Sequence, residues 1–309
     1  MALEIRENVP LGPMTTFEIG GPAQYFVAVK TEEDIREAIR HANEKKVPFV
    51  LLATGSNVLI PDEGLHALVI HIAEGEYSID DTVLTADAGC NFLALIRATG
   101  EKGLGGWEKM AGIPGTIGGA ARGNAGAFGT EIKDVAVSIT ALNSQTFESR
   151  TFTNADCDFS YRRSFFKDHS EWIVTKVVVE LTHKSDLWVA GQIEATIAER
   201  EKRHLQNVRA AGSYFMNPVA PPEIVEMFEG EKGVASREKR VPAGWLIEKA
   251  GMKGAQIGGA QASLQHPNYI VNTGGATAHE VLELAAKIKK SVKEKFDIEL
   301  KEEAAVFHN

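Results

Sequence analysis

The sequence predicts an α+β fold on about two domains. Strand-like apolar runs and helix-period segments follow one another along the chain, and a hairpin pair occupies its middle. At 309 residues the chain fills about two domains, taking ~150 residues for each. Hydrophobic residues make up 44% and charged residues 24%, proportions of a packed globular protein and far from a disordered one.

Taken in order, residues 11–23 form a loop rich in glycine and proline around a short apolar centre. A strand is expected over 25–29. Thr31 and Asp34 then make a capping-box start to a helix with Ile35, Ala38, Ile39 and Ala42 on one face. Residues 49–52 read as a buried strand ending in a polar turn at Gly55, Ser56 and Asn57. Strands are expected at 67–72 and 83–86, and Phe92, Leu95 and Ile96 mark a helix over 91–101. After a run of small residues at 108–129, residues 135–142 and 147–152 pair as a hairpin, and 172–181 forms another strand. Composition shifts near residue 186, where a charged helix through Ile193 and Ile197 leads into a basic stretch at 200–209. Short helices at 224–228 and 243–250, a strand at 268–271, a helix capped by Thr277 and Glu280, and a final strand at 298–307 complete the chain.

Several function classes are disfavoured. A net charge of −9, with the lysines gathered on one late helix, argues against a nucleic-acid surface. The first residues lack a signal-peptide core, and no apolar run approaches the ~18 residues of a membrane span. A cytoplasmic protein without a membrane partner is expected. Cys90 and Cys157 are isolated and expected to be buried thiols, and the nine histidines show no ligand spacing, so no metal is expected.

The run at 108–129 is the strongest functional signal. Seven glycines and five alanines let backbone approach something bulky, and Ile113, Pro114, Ile117 and Phe128 distinguish it from a flexible linker. The turn at Gly55, Ser56 and Asn57 can aim N–H groups at a phosphate or serve as an ordinary turn. There is no Gly-x-Gly-x-x-Gly, Walker or Gly-x-Ser-x-Gly motif, so any dinucleotide sits on another scaffold. From local sequence, Ser213 is a turn or cap residue, Arg162 and Arg163 are a surface pair or an anion grip, and Glu302 and Glu303 are exposed strand-end charges.

Eight segments in one order resemble the UDP-N-acetylenolpyruvoylglucosamine reductases. They are Thr15-Thr16-Phe17 with Ile19-Gly20-Gly21-Pro22-Ala23, Gly55-Ser56-Asn57-Val58-Leu59, residues 112–120 (GIPGTIGGA), residues 124–129 (NAGAFG), Tyr161-Arg162-x-Ser164, Gly212-Ser213-x-Phe215-x-Asn217-Pro218, residues 243–247 (AGWLI) and residues 256–260 (QIGGA). The resemblance spans nearly the whole chain. It implies a vanillyl-alcohol-oxidase/PCMH-like FAD-binding fold of two subdomains plus an α+β substrate domain. The boundaries implied are 1–72 and 73–185 for the FAD subdomains and 186–296 for the substrate domain, with 297–309 returning to the first.

The implied activity is that of an FAD-containing, NADPH-dependent UDP-N-acetylmuramate dehydrogenase. It reduces UDP-N-acetylglucosamine enolpyruvate to UDP-N-acetylmuramate for peptidoglycan, and so serves cell-wall biogenesis, cell shape and division. The FAD is implied to be non-covalent, the other partners to be NADPH and the sugar nucleotide, and the chain to be a monomer. By analogy, Gly55, Ser56, Asn57, Ile113, Pro114, Gly115, Gly118, Gly119, Asn124, Ala125 and Gly126 bind the cofactor. The pyrophosphate is implied to lie on 115–119 and the flavin beside 124–126. Arg162 matches the arginine that pairs with the substrate carboxylate, Ser213 the proton donor, and Glu303 the acid that polarises the enolic carboxyl. Tyr161, Asn217 and Gln256 match substrate positions.

The chain also departs from the family pattern. Lys301-Glu302-Glu303-Ala304-Ala305 replaces Glu-x-Glu-Val-Arg, so a one-residue slip would select Glu302. Residues 203–209 replace a Lys-Gln-Pro-Leu run, leaving diphosphate contacts from Arg203 or Arg209 open. Met216 stands where a polar residue is common and Phe128 where tyrosine is common, and the chain resembles the shorter type of the enzyme. Alternative readings are another flavin oxidase or dehydrogenase of the same superfamily, or a silent sugar-nucleotide-binding paralogue. Retention of Arg162, Ser213 and Glu303 argues against the latter.

Overall fold

A computed structural model of the chain describes residues 3–203 and 208–308. It divides into two compact units. The first holds the described residues up to Val9, then Ala23–Thr54 and His66–Lys202; the second holds Pro10–Pro22, Gly55–Leu65 and the described residues from Arg203 onward.

In the first unit, the strands Arg6–Pro10, Pro22–Val29, Leu65–Ile72 and Phe49–Leu52 form one sheet in that order, the last two parallel. The helix Glu32–Lys45 covers it with Ile35, Ala38, Ile39 and Ala42, as its spacing predicts, and begins with the Thr31/Asp34 capping box. A second sheet runs Ser149–Thr153, Ala136–Asn143, Trp172–Glu180, Val83–Asp87 and Tyr77–Asp80, antiparallel throughout. One helix ties the two sheets together. Glu32 accepts from Thr175 and Ser149, Arg36 donates to the Phe147 carbonyl, and Leu142 and Ile173 of the second sheet join the apolar cluster under the helix.

The helix Asp186–Lys202, expected to open a substrate domain, lies in the first unit. Its Val189 and Ile193 are buried against the helix Phe92–Gly100, where a Cβ added at Gly100 would meet Ile193 Cδ1 at 2.7 Å. Apolar spacing marks a helix but does not say which core receives it.

The second unit is built on the helix Ala278–Phe296, whose Val281, Leu284, Ala285, Ile288 and Val292 are buried. Around it lie the helices Pro222–Lys232 and Ala243–Lys249 and a small antiparallel sheet of Gln256–Ile257, Ala260–Ala262 and Ile270–Asn272. Phe17, Ile19 and Leu59 share its core, so the early loop and the 55–65 segment belong here by packing. Of the final stretch expected as a strand over 298–307, the pair Ala305–Val306 is regular and lies parallel to Val58–Leu59. Among the described residues, no helix is long and apolar enough to cross a membrane.

Candidate active site

In the first unit, the small-residue run folds into a 3-10 turn at Glu108–Met110 and a short helix, Ile117–Arg122, capped by the Thr116 hydroxyl accepting from Gly119 N–H at 3.2 Å. This helix passes so close to Ala88 that a Cβ at Gly118 would come within 2.5 Å of the Ala88 Cβ. Gly118 is therefore small for packing. Its N–H donates to the Ala88 carbonyl, and Ile117 N–H to that of Cys90. With the Gly118 and Gly119 amides engaged inside the chain, any approach of a ligand there uses their missing side chains, not their donors. A Cβ at Gly119 would find only Thr116 Oγ1, at 3.5 Å, which leaves open space on that side. Among the described residues, the N–H groups of Gly115, at φ 130°, and of Thr116 make no hydrogen bond. This donor pair and the bare backbone at Gly119 fit a phosphate-bearing cofactor.

Asn124 follows, fully buried and at φ 42°. Its Nδ2 donates to Glu131 Oε2 at 3.0 Å and to the Ser160 carbonyl at 2.9 Å, and its Oδ1 accepts from Lys133 N–H at 3.1 Å. Ala125 N–H donates to the Ala120 carbonyl, and Gly126 opens the hairpin of Gly126–Ala127 with Thr130–Glu131.

The turn at 160–163 is closed by reciprocal main-chain bonds between Ser160 and Arg163. It separates the two arginines. Arg163, exposed, pairs with Asp168 at 2.5 Å. Arg162 takes the left-handed region at φ 56°, lies 5.2 Å over the Tyr161 ring and donates from Nη2 to the Gly126 carbonyl at 2.9 Å. Lys167 Nζ holds the Arg162 carbonyl at 2.9 Å. The turn thus carries one exposed arginine ion-paired with Asp168 and Asp158 and one guanidinium directed at the hairpin.

In the second unit, Gly55 takes φ 61°, and a Cβ there would meet the Met14 carbonyl at 2.4 Å. Asn57 is joined to the end of the chain: its Nδ2 donates to the Glu303 carbonyl at 3.2 Å, and its own carbonyl accepts from Ala305 N–H at 3.0 Å.

Ser213 begins a segment held from both sides. Tyr214 N–H donates to the Asn268 carbonyl at 2.7 Å. Asn268, buried, also exchanges both side-chain hydrogen bonds with the main chain of Phe215, at 3.0 and 2.8 Å. On the other side Met216 N–H meets the Lys301 carbonyl, and Glu303 N–H meets that of Tyr214 at 2.8 Å. Burial, and then the nearby Glu302, push the Tyr214 phenol well above its ordinary pKa, so it stays protonated. Glu302 itself is paired with Lys289 at 2.9 Å.

Ser213 and Asn217 line a cavity of about 420 Å³ together with Lys232, Trp245 and His266. Burial lowers the His266 pKa and favours the neutral ring. Asn217 Oδ1 accepts from Ala243 N–H at 2.9 Å and caps the helix that follows. Gln256 lies elsewhere, bonded to Gly258 and Gln261. Arg209 pairs with Glu18 at 3.5 Å, and residues 204–207 of the expected diphosphate segment lie outside the described residues.

The structure thus brings Ser213, Asn217, Asn57 and Glu303 into one unit, and Arg162, Tyr161 and the small-residue run into the other. Sequence reasoning missed Asn268, His266 and Lys167. The only local signal was the turn His266-Pro267-Asn268, which reads as the start of a strand.

Residues 23–146 match the FAD binding domain family, and residues 203–307 match the C-terminal domain of UDP-N-acetylenolpyruvoylglucosamine reductase. The reductase of that name from Bacillus licheniformis is 36% identical over 98% of this chain and 94% of its own length. The one from Solibacter usitatus is 34% identical over 97% and 96%. The crystal structure of UDP-N-acetylenolpyruvylglucosamine reductase from Thermus caldophilus covers all of both chains, with a TM-score of 0.76 at 29% identity.

Proposed function

The chain belongs to the UDP-N-acetylenolpyruvoylglucosamine reductase family, and from that membership we propose which of its residues carry each part of the reaction. It is an FAD-containing oxidoreductase of peptidoglycan synthesis with NADPH as the reductant. When bound, FAD would supply a hydride for the terminal vinyl carbon of the enolpyruvyl group, with NADPH as its source.

Hydride addition to that carbon builds negative charge on the adjoining carboxylate as an enolate, so a fixed cation there stabilises the transition state more than the ground state. Arg162 takes this role. Its guanidinium is held by the Gly126 carbonyl and the Tyr161 ring, which supports a preset orientation. Ser213 donates the proton to the carbon next to the carboxylate; a hydroxyl is a weak acid, but that carbon is a strong base. Hydride and proton together saturate the double bond. Glu303 polarises the enolic carboxyl, on a segment that its main-chain N–H joins to the Tyr214 carbonyl beside Ser213. Asn217 joins Ser213 in the sugar-nucleotide cavity, and Tyr161 and Gln256 are further substrate contacts. Gly55, Ser56, Asn57, Ile113, Pro114, Gly115, Gly118, Gly119, Ala125 and Gly126 would hold FAD. The chain works as a monomer in the cytoplasm.

The observation that carries the residue assignment is the Glu303 N–H to Tyr214 carbonyl bond, which seats the Ser213 and Glu303 segments side by side. Ser213→Ala tests it. Bleaching of the flavin by NADPH is expected to persist, while reoxidation by the enolpyruvyl nucleotide falls at least a hundredfold, in the range of a lost general acid. Equal loss of both half-reactions would count against a proton donor at Ser213.

A further inference from the structure

We propose that Asn124 is a positioning residue for Arg162 and that its side chain is not a ligand of the cofactor. The inference rests on the reading of Arg162 as the carboxylate-binding residue.

A neutral carboxamide offers two N–H donors and one carbonyl acceptor. Both donors of Asn124 are taken, by Glu131 Oε2 and the Ser160 carbonyl, and the acceptor holds Lys133 N–H. These partners also fix which way the amide points, because Lys133 N–H requires an acceptor and the Ser160 carbonyl a donor. The residue is fully buried, so nothing of its amide is offered to a ligand.

What Asn124 holds is one end of the Arg162 turn. Ser160 and Arg163 close that turn through reciprocal bonds, and Arg162 sits inside it at φ 56°, a region that side-chain-bearing residues enter only when their surroundings force them. Three contacts do the forcing. Asn124 fixes the Ser160 carbonyl, Lys167 fixes the Arg162 carbonyl, and the Gly126 carbonyl, two residues from Asn124, receives the guanidinium. The same asparagine therefore ties the peptide that launches Arg162 to the hairpin that catches its side chain.

The test is a double-mutant cycle on the holoenzyme, with the two half-reactions followed separately by flavin absorbance. Asn124→Ser is expected to slow reoxidation by the enolpyruvyl nucleotide at least tenfold. The rate of NADPH reduction, the FAD dissociation constant and the flavin spectrum should stay within about twofold. In the Arg162→Ala background, Asn124→Ser should then cost nothing further, because a residue acting through Arg162 has nothing left to position. A shifted flavin spectrum with weakened FAD binding, or losses that add, would overturn the proposal. If Asn124→Ser does not fold, Asn124→Gln keeps the amide and displaces it by one methylene; the same split is expected, and reoxidation at the wild-type rate would count against the role. Normal reoxidation in Arg162→Ala alone would instead refute the assignment of Arg162, a separate outcome.

Discussion

Glu303 donates its main-chain N–H to the carbonyl of Tyr214 at 2.8 Å, one residue beyond Ser213. The bond joins two segments almost ninety positions apart in the chain and makes the geometry of the proposed acid and proton donor a property of backbone. Phe215 and Glu302 form the adjoining bridge, and the Asn57 side chain grips the Glu303 carbonyl from the other side.

The two neighbouring glutamates should therefore differ in consequence. Glu303→Gln is expected to slow reoxidation by the enolpyruvyl nucleotide by about a hundredfold, the lower range for a residue assisting proton transfer. Glu302→Gln loses a half-exposed pair with Lys289 and should change that rate less than about threefold. Stopped-flow absorbance on both variants decides, and the reverse order would move the role to Glu302.

Asn268 carries a stability prediction. Asn268→Leu removes both side-chain bonds to Phe215 and leaves that residue's buried N–H and C=O without them. At about 1–3 kcal/mol for each orphaned group, a loss of about 2–6 kcal/mol is expected in urea or thermal unfolding. A loss under about 1 kcal/mol would mean that the segment is held by other contacts.

Two partly buried histidines set an acid limit. Burial lowers the pKa of His266 and of His71 below the ordinary 6.5, so the native state favours both neutral rings. In the unfolded chain they protonate near 6.5, and between that value and their lowered native values the unfolded state binds more protons. The associated stability is fully present above pH 6.5 and is lost as pH falls through the native values. The melting temperature should decline between pH 7 and 5, and His266→Gln should flatten that decline. An unchanged slope in the variant would assign the loss to other groups. The lowered carboxylates, Asp34 and Glu280 among them, act below this window, since their ordinary values are 3.8 and 4.5.

Much of the fold is legible locally because its signals are local. Both Thr31 with Asp34 and Thr277 with Glu280 form the reciprocal bonds that their three-residue spacing predicts. The helix Phe92–Gly100 begins at Asn91, whose side chain caps Ala94 N–H. What is not legible depends on partners distant in sequence. Gly118 reads as a residue for a ligand until Ala88 is seen against it. Residues 298–304 have strand composition, yet they meet only single residues of the Ser213 segment, so the regular pairing shrinks to Ala305–Val306. Of the proposed site, the family resemblance singles out Arg162, Ser213 and Glu303, which local sequence alone leaves as turn, surface and strand-end residues. The supporting Lys167 and Asn268 have no such signature, because a buried asparagine serving main chain looks the same in sequence as one serving a turn.

The reaction requires one flavin site that takes hydride from NADPH and passes it to the enolpyruvyl sugar nucleotide. The most direct test is anaerobic: the purified holoenzyme is bleached with one equivalent of NADPH, and UDP-N-acetylglucosamine enolpyruvate is then added. The oxidised flavin absorbance is expected to return, with UDP-N-acetylmuramate formed in equal amount. Flavin that stays bleached until oxygen is admitted would contradict it and identify an oxidase.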